Sequence, residues 1–143
     1  SRGNPITIGE MRKLSNDSMW SVGAAGDMVR NDGYIVLPLQ LGVDWEAGDQ
    51  QAQAAGSQNI SETGADPYFS LTVAFVSASG RSFTTMDDYS VSIDNEFSRI
   101  GVLFPPAESI TTNVPVTVPS DQVDGGLWVV RNARGDSVFI SAG

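Results

Sequence analysis

The sequence predicts an all-β fold, an antiparallel β-sandwich or barrel, from three observations. Apolar and polar residues alternate with a period of two in several stretches, which is the pattern of a strand with one face in a core and one in water. Turn-forming combinations of Gly, Asn, Asp and Pro separate these stretches. No stretch keeps the apolar periodicity of an α-helix for long enough to predict a helix. Many short strands with turns between them are typical of a sandwich or a barrel.

The clearest alternation runs from residue 37 to residue 45. Its even positions are polar, Pro or Gly, and its odd positions are Leu37, Leu39, Leu41, Val43 and Trp45. We predict a strand that buries all five of these side chains, Trp45 included. Pro38 has no backbone N–H to donate, so we expect it at a strand edge or a bulge.

Two later stretches alternate in the same way, at 68–75 and 110–118. Their predicted inward residues are Phe69, Leu71, Val73 and Phe75 in the first and Ile110, Val114, Val116 and Val118 in the second. Shorter strands are predicted at 6–8, 20–22, 89–93, 100–104, 127–130 and 138–140.

Residues 47–66 interrupt this pattern. The segment is polar, rich in Ala, Gly and Gln, and contains one large aliphatic residue, Ile60, and no aromatic one. A long stretch without regular structure is either functional or mobile, and this composition favours mobility. We therefore expect a mobile polar loop at 47–66, with one helical turn at most, at 52–55. Limited proteolysis should cut it first.

Three blocks of the chain resemble a known family. They are GYIV at 33–36, SGRSF at 79–83, and a C-terminal block of FPPAE at 104–108, VPVTVP at 114–119 and LWVV at 127–130. In these blocks the chain resembles the telokin-like, immunoglobulin-like domains of bacterial cell-envelope lipoproteins and secreted antigens. The resemblance implies one immunoglobulin-like sandwich of about seven to nine strands across residues 1–143, export, and an envelope setting. The family has no assigned activity, so no site residues follow from it.

Composition excludes more chemistry than any motif adds. Eight Lys and Arg against seventeen Asp and Glu give a net charge of −9, which argues against nucleic acid and anionic membrane surfaces as partners. The chain has no His and no Cys, so it lacks an imidazole base, a thiolate nucleophile and a disulfide. A Ser or Thr nucleophile would depend on Lys13, the only lysine, which lies in a polar stretch. We predict a protein that is not an enzyme and needs no cofactor.

Acidic residues suggest an alternative function, a calcium-stabilised adhesion-type domain. They gather in three places, which are Asp44 with Glu46 and Asp49, Asp87 with Asp88, and Asp94 with Glu96. Calcium binds six to eight oxygens, so these carboxylates could stabilise an adhesion-type domain. None of the groups has the Asp-x-Asp-x-Asp-Gly spacing of a dedicated calcium loop, and solvated loop charge is the favoured interpretation. A carboxylate-based hydrolase ranks last, because it needs an enclosing cleft.

The C-terminal strands leave a further question open. The stretch LWVV at 127–130 is apolar at every position, so it is either covered on both faces or shows an apolar outer patch to a partner. We favour burial of the stretch, Trp128 included. Arg131 and Arg134 flank the last turn, and in so acidic a chain we expect surface ion pairs rather than an anion site.

These features predict a non-enzymatic, exported binding module of the bacterial cell envelope. Its partner is a protein or an envelope component. The sequence has no run of eighteen apolar residues, so it predicts no membrane-spanning segment. The chain begins Ser1-Arg2-Gly3-Asn4-Pro5 without Met, which fits an exported protein whose leader was removed or a chain that was shortened.

Calcium dependence separates the binding module from the adhesion-type alternative. An ion at about 100 times its Kd adds about 2.7 kcal/mol to the free energy of unfolding and raises Tm by several degrees. We expect the same Tm in millimolar calcium and in chelator, measured by thermal unfolding. A clear upward shift with calcium would favour the alternative.

Overall fold

Nine β-strands form two antiparallel sheets in the computed structural model, which describes residues 5–14, 19–84 and 93–141. The strands are β1 Met11–Lys13, β2 Trp20–Ala24, β3 Val29–Asn31, β4 Tyr34–Val43, β5 Leu71–Val76, β6 Ser82–Thr84, β7 Ser109–Thr117, β8 Leu127–Asn132 and β9 Ser137–Ser141. The α-helices are α1 Trp45–Ala54, α2 Ile60–Thr63 and α3 Pro67–Ser70, and short 3₁₀ helices lie at Phe97–Arg99 and Ser120–Gln122. The described chain is mostly β, with two antiparallel sheets as in a β-sandwich, and it contains helices that the sequence did not predict. Of the strand predicted at 89–93, residues 89–92 lie outside the described residues, as do Asp87 and Asp88.

Strand β4 is the centre of the first sheet. It pairs with β7 along nearly its whole length, from Tyr34 opposite Thr117 to Gly42 opposite Ser109. On its other side it pairs first with β3 and then with β2, and β1 extends the sheet beyond β2. The segment around Asn95 covers the far edge of β7, where the Asn113 N–H donates to the Asn95 carbonyl at 2.9 Å.

Pro38 lies in the middle of this central strand, opposite an interruption in its neighbour. Pairing of β4 with β3 ends at Val36–Val29 and pairing with β2 starts at Leu39–Ala24, so residues 25–28 bulge out between them. The Pro38 carbonyl accepts from the Ala25 N–H at 2.7 Å and therefore points to this bulge. Its missing N–H points the same way, so no ladder bond is lost. Pro38, predicted at a strand edge or a bulge, thus lies where the neighbouring strands leave a gap.

The second sheet has the order β6-β5-β8-β9. Strand β8 is central, with Phe75 of β5 opposite Trp128 and Ile140 of β9 opposite Trp128 on the other side. Near the N-terminus, Ile6 forms a parallel bridge to Ile140 and is almost fully buried.

The inward faces of the two sheets share one core. Trp128 and Phe75 are both fully buried and meet edge to face, with ring centroids 5.3 Å apart. The predicted inward positions that are buried are Leu37, Leu39, Leu41, Val43, Leu71, Val73, Phe75, Val114, Val116 and Val118, while Ile110 is partly buried. Alternation therefore predicted these core positions correctly, and Trp128 is buried.

Two predicted inward residues lie instead in helices. Phe69 is 83% exposed, because Pro67–Ser70 forms the short helix α3 where a strand was predicted. Asp66 caps α3 by accepting from the Tyr68 N–H at 3.0 Å, and Pro67 occupies the first turn, where its missing N–H costs nothing. Trp45 begins α1 rather than ending β4, and it packs partly buried against the core.

The prediction of irregular structure at 47–66 is also wrong, because α1 and α2 occupy much of the segment. Its Ala and Gln residues are good helix formers. Helices α1 and α2 pack closely at Gly48, which has no side chain. A Cβ on Gly48 would lie 2.6 Å from Ile60 Cγ2 and 2.8 Å from Met19 Sδ. Mobility of this segment stays a prediction. The strand predicted at 100–104 is reduced to one bridge, between Leu103 and Ala65.

The alternation of β8 and β9 gives a stability test. Trp128→Ala should lower the free energy of unfolding by about 3–5 kcal/mol, because it empties a fully buried site. Phe139→Ala, on the outward side of β9, should cost clearly less. Trp128→Phe should fall between the two, since it keeps a ring and removes an indole N–H that has no partner among the described residues. Urea unfolding measures all three. Equal losses for Trp128→Ala and Phe139→Ala would contradict the assigned faces.

Candidate binding face

The outward face of the second sheet is apolar along its middle. Because side chains alternate along a strand, burial of Trp128 and Val130 turns Leu127 and Val129 outward. The apolar outward residues are Ala74, Val76, Leu127, Val129 and Phe139. They are cross-strand neighbours, with Val129 between Ala74 and Phe139, and Val76 opposite Leu127. Each is only partly buried, so these side chains form one continuous patch facing solvent.

Two adjoining depressions, of about 340 Å³ and about 250 Å³, run along this patch and share Val76, Val129 and Phe139. We call them together the outer groove. Its lining adds four polar side chains, with Thr72 and Arg131 towards α3 and Ser82 and Thr84 along the neighbouring strand β6. Towards the opposite end it is lined by Leu127 and by turn residues that include Ser77, Gly80 and Gly125.

The turns at that opposite end are held by local hydrogen bonds. Ser77 Oγ accepts from the Arg81 N–H at 3.1 Å, and Ser79 Oγ donates to Gln122 Oε1 at 3.0 Å. Gly126 allows the buried Phe75 ring to approach, because a Cβ there would lie 2.2 Å from Phe75 Cζ. The end of the groove is therefore built on a fixed frame.

Arg131 is the one charged residue among the described residues that line the groove. Its Nε donates to Ser137 Oγ on β9 at 3.2 Å, which holds the guanidinium against the sheet face. In the described part of the chain, no carboxylate lies within ion-pair distance of it. Lys13, Arg30 and Arg99, by contrast, face Asp44, Asp124 and Glu96 at 3.4, 2.6 and 4.0 Å. The ion pair expected for Arg131 is thus not found among the described residues.

The outward face of the first sheet has a different character. Towards the Gly42 end of β4 this face carries polar side chains or Gly, namely Ser21, Gln40, Gly42, Thr111 and Asn113, whereas Val36, Pro38 and Pro115 on the same face are apolar. An antiparallel sheet with one solvated face normally looks like this. The partly exposed apolar row of the second sheet therefore differs from the first sheet, where the outward apolar residues Val36 and Pro115 are buried.

The first acidic group predicted from the sequence serves local structure. Asp44 caps α1 by accepting from the Ala47 N–H at 3.0 Å and also pairs with Lys13. Asp49 accepts from the Ser61 N–H at 2.8 Å and from Ser61 Oγ at 2.6 Å, which ties α1 to α2. These hydrogen bonds, with the Lys13 charge added at Asp44, lower the pKa of both carboxyl groups below the ordinary value. Glu46 lies in the first turn of α1.

The other acidic groups do not join them. Glu96 accepts from Ser98 Oγ and faces Arg99, in the segment beside β7. Asp94 contributes its backbone carbonyl, which accepts from Asn113 Nδ2 at 3.0 Å. Within the described residues, no three Asp, Glu, His or Cys side chains converge in a way that could hold a metal ion. No helix in residues 5–14, 19–84 and 93–141 is both long and apolar enough to cross a membrane.

No family model, curated protein or solved structure matches the chain. The resemblance to telokin-like domains therefore stays a prediction. Sequence reasoning considered an outer apolar patch on 127–130 but favoured burial of the stretch, whereas the structure buries Trp128 and Val130 and leaves Leu127 and Val129 partly exposed. Sequence reasoning missed Val76 as part of that patch, because joining β5 to β8 and β9 requires the order of strands in the sheet.

Acid stability tests the assigned role of Asp49. A carboxyl group whose folded pKa is lowered contributes stability above its unfolded pKa, and that contribution is lost as the pH falls through the folded pKa. We expect the free energy of unfolding to fall as the pH drops from about 5 towards 2. In Asp49→Asn this fall should be smaller, as measured by urea unfolding across that range. Asp121→Asn is the matched control, since Asp121 is exposed and no hydrogen bond or ion pair is found for it among the described residues. Identical pH profiles for both variants would contradict the role of Asp49.

Proposed function

We propose that this protein is a non-enzymatic, exported binding module of the bacterial cell envelope, which recognises a protein partner through the outer groove. The observation that carries the proposal is the contiguous apolar row on the outward face of the second sheet. Apolar patches rimmed by polar residues mark interaction sites on soluble proteins. Here the rim is Thr72, Ser82, Thr84 and Arg131.

The shape of the groove favours a protein over a small molecule. Small-molecule sites are concave and cover most of their ligand. The outer groove is a shallow depression on a sheet, so a ligand lying in it would keep one side in water. A protein surface covers the whole groove and excludes water from both sides, which is how apolar area contributes to binding.

The absence of His and Cys from the sequence supports a non-enzymatic role. Two of the carboxylates considered for catalysis, Asp44 and Asp49, are engaged in capping and in joining α1 to α2. No Asp or Glu is found among the described residues that line the outer groove. Binding needs none of these groups.

The envelope setting and the immunoglobulin-like type are proposed from the resemblance. Its blocks fall on matching features: residues 34–36 open β4, residues 79–83 span the β5–β6 turn and the start of β6, and residues 114–117 close β7. One difference stands against the constant-type immunoglobulin order, in which the second and third strands lie in opposite sheets. Here the second and third strands, β2 and β3, both lie in the first sheet.

Capture from an envelope extract tests the proposal. Val129→Glu places a charge at the centre of the groove and should abolish capture of the partner, while the fold is kept because the side chain points outward. Thr111→Glu makes a matched change from a β-branched residue to Glu on the outward face of the first sheet, so it should capture as the unchanged chain does. Bands compared by mass spectrometry provide the readout. Capture that survives Val129→Glu, or is lost equally in both variants, would overturn the proposal.

A further inference from the structure

We infer that the partner presents an acidic side chain beside an apolar one, and that Arg131 receives its carboxylate. This inference rests on the proposed function and gives the chemistry of the surface that the outer groove fits. Three observations support it: the orientation of Arg131, the spacing between Arg131 and Val129, and the loss of water from the Arg131 guanidinium when a partner covers the groove.

The guanidinium of Arg131 is oriented but not neutralised. The bond from Nε to Ser137 Oγ fixes one edge of the group, and no carboxylate pairs with its terminal nitrogens within the described residues. A guanidinium presents its donors in a planar fork that matches a carboxylate bidentately. An arginine held in this way offers a prepared site for one anion.

Docking makes that anion necessary. A protein surface that covers Val129 and Phe139 also removes water from Arg131, which lines the same depression. Removing water from an unpaired charge is strongly unfavourable, whereas a charge that gains a hydrogen-bonded partner is compensated. No acidic residue among the described groove lining can supply that partner. We therefore assign the carboxylate to the partner.

A second copy of this chain fits the groove poorly. Each copy carries a net charge of −9, so two copies repel each other. Two facing grooves would also bring together surfaces whose described lining carries Arg131 and no carboxylate. The face is four strands wide and about six residues long, roughly 20 Å by 20 Å, which is too small for a stable dimer at ~800 Å² per partner but large enough for one extended segment of a partner.

The spacing within β8 predicts the spacing in the partner. Arg131 and Val129 are two residues apart on the same face, which is about 7 Å along a strand. An extended partner segment places side chains of one face at the same interval. The structure therefore points to an extended segment with an apolar residue two positions from an Asp or Glu, the apolar side chain lying over Val129 and Phe139.

Selection from a random peptide library tests this without knowledge of the partner. Peptides are selected on the unchanged chain and counter-selected on Val129→Glu, so that only groove binders remain. We expect the pattern apolar–x–acidic to be enriched. Arg131→Gln should weaken these peptides about 10- to 100-fold, as expected for a charge-assisted hydrogen-bonded pair. Arg131→Glu should instead enrich Lys or Arg at the acidic position.

Arg134→Gln is the matched control, because Arg134 lies in the neighbouring turn and is not among the residues that line the groove. It should leave the selected pattern and the affinities unchanged, and the melting temperature of each variant checks its fold. Peptides that require Val129 but show no acidic preference would overturn this inference and leave the proposed function standing. No peptide that requires Val129 would overturn both.

Discussion

The packing of Trp128 against Phe75 is the contact on which the rest of this structure depends. Both side chains are fully buried, and they meet edge to face between the two sheets. Because side chains alternate along a strand, this one placement decides the direction of every other residue in β8. A shift of one residue would bury Val129 and expose the indole ring, at the cost of the largest buried side chain in the described core. The position of Val129 on the surface is therefore fixed from the inside.

The same constraint explains why an apolar face persists on an acidic protein. Strand β8 has apolar residues at four successive positions, and the core needs only the alternate ones. The outward pair, Leu127 and Val129, falls beside Val76 and Phe139 through the register with β5 and β9. Arg131 follows on the same face and is held by Ser137. The proposed binding surface thus combines an apolar floor with one oriented cation, and both are consequences of strand register.

The strand core could be predicted from the sequence because a half-buried strand repeats every two residues. Leu41 and Val73 fall inside for this reason. Phe69 was misplaced because the alternation continues through Pro67–Ser70, where the Asp66 cap and Pro67 favour a helical turn instead. Helix α1 has no clear apolar stripe, and its packing through Gly48 becomes visible only in three dimensions. The candidate site was likewise predictable only in part. The apolar residues at 127–130 raised the question of an outer patch, but only the order of strands in the sheet shows that Val76 and Phe139 belong to it.

Carbene footprinting of the chain, alone and in complex with its captured partner, tests the central claim most directly. Leu127, Val129 and Phe139 should lose labelling in the complex, while Gln40 and Thr111 on the first sheet keep theirs. Three of the exposed apolar side chains elsewhere, Phe69, Val102 and Phe104, provide an internal comparison and should also remain labelled. Protection of those three with unchanged labelling of Val129 and Phe139 would place recognition away from the outer groove and contradict the account.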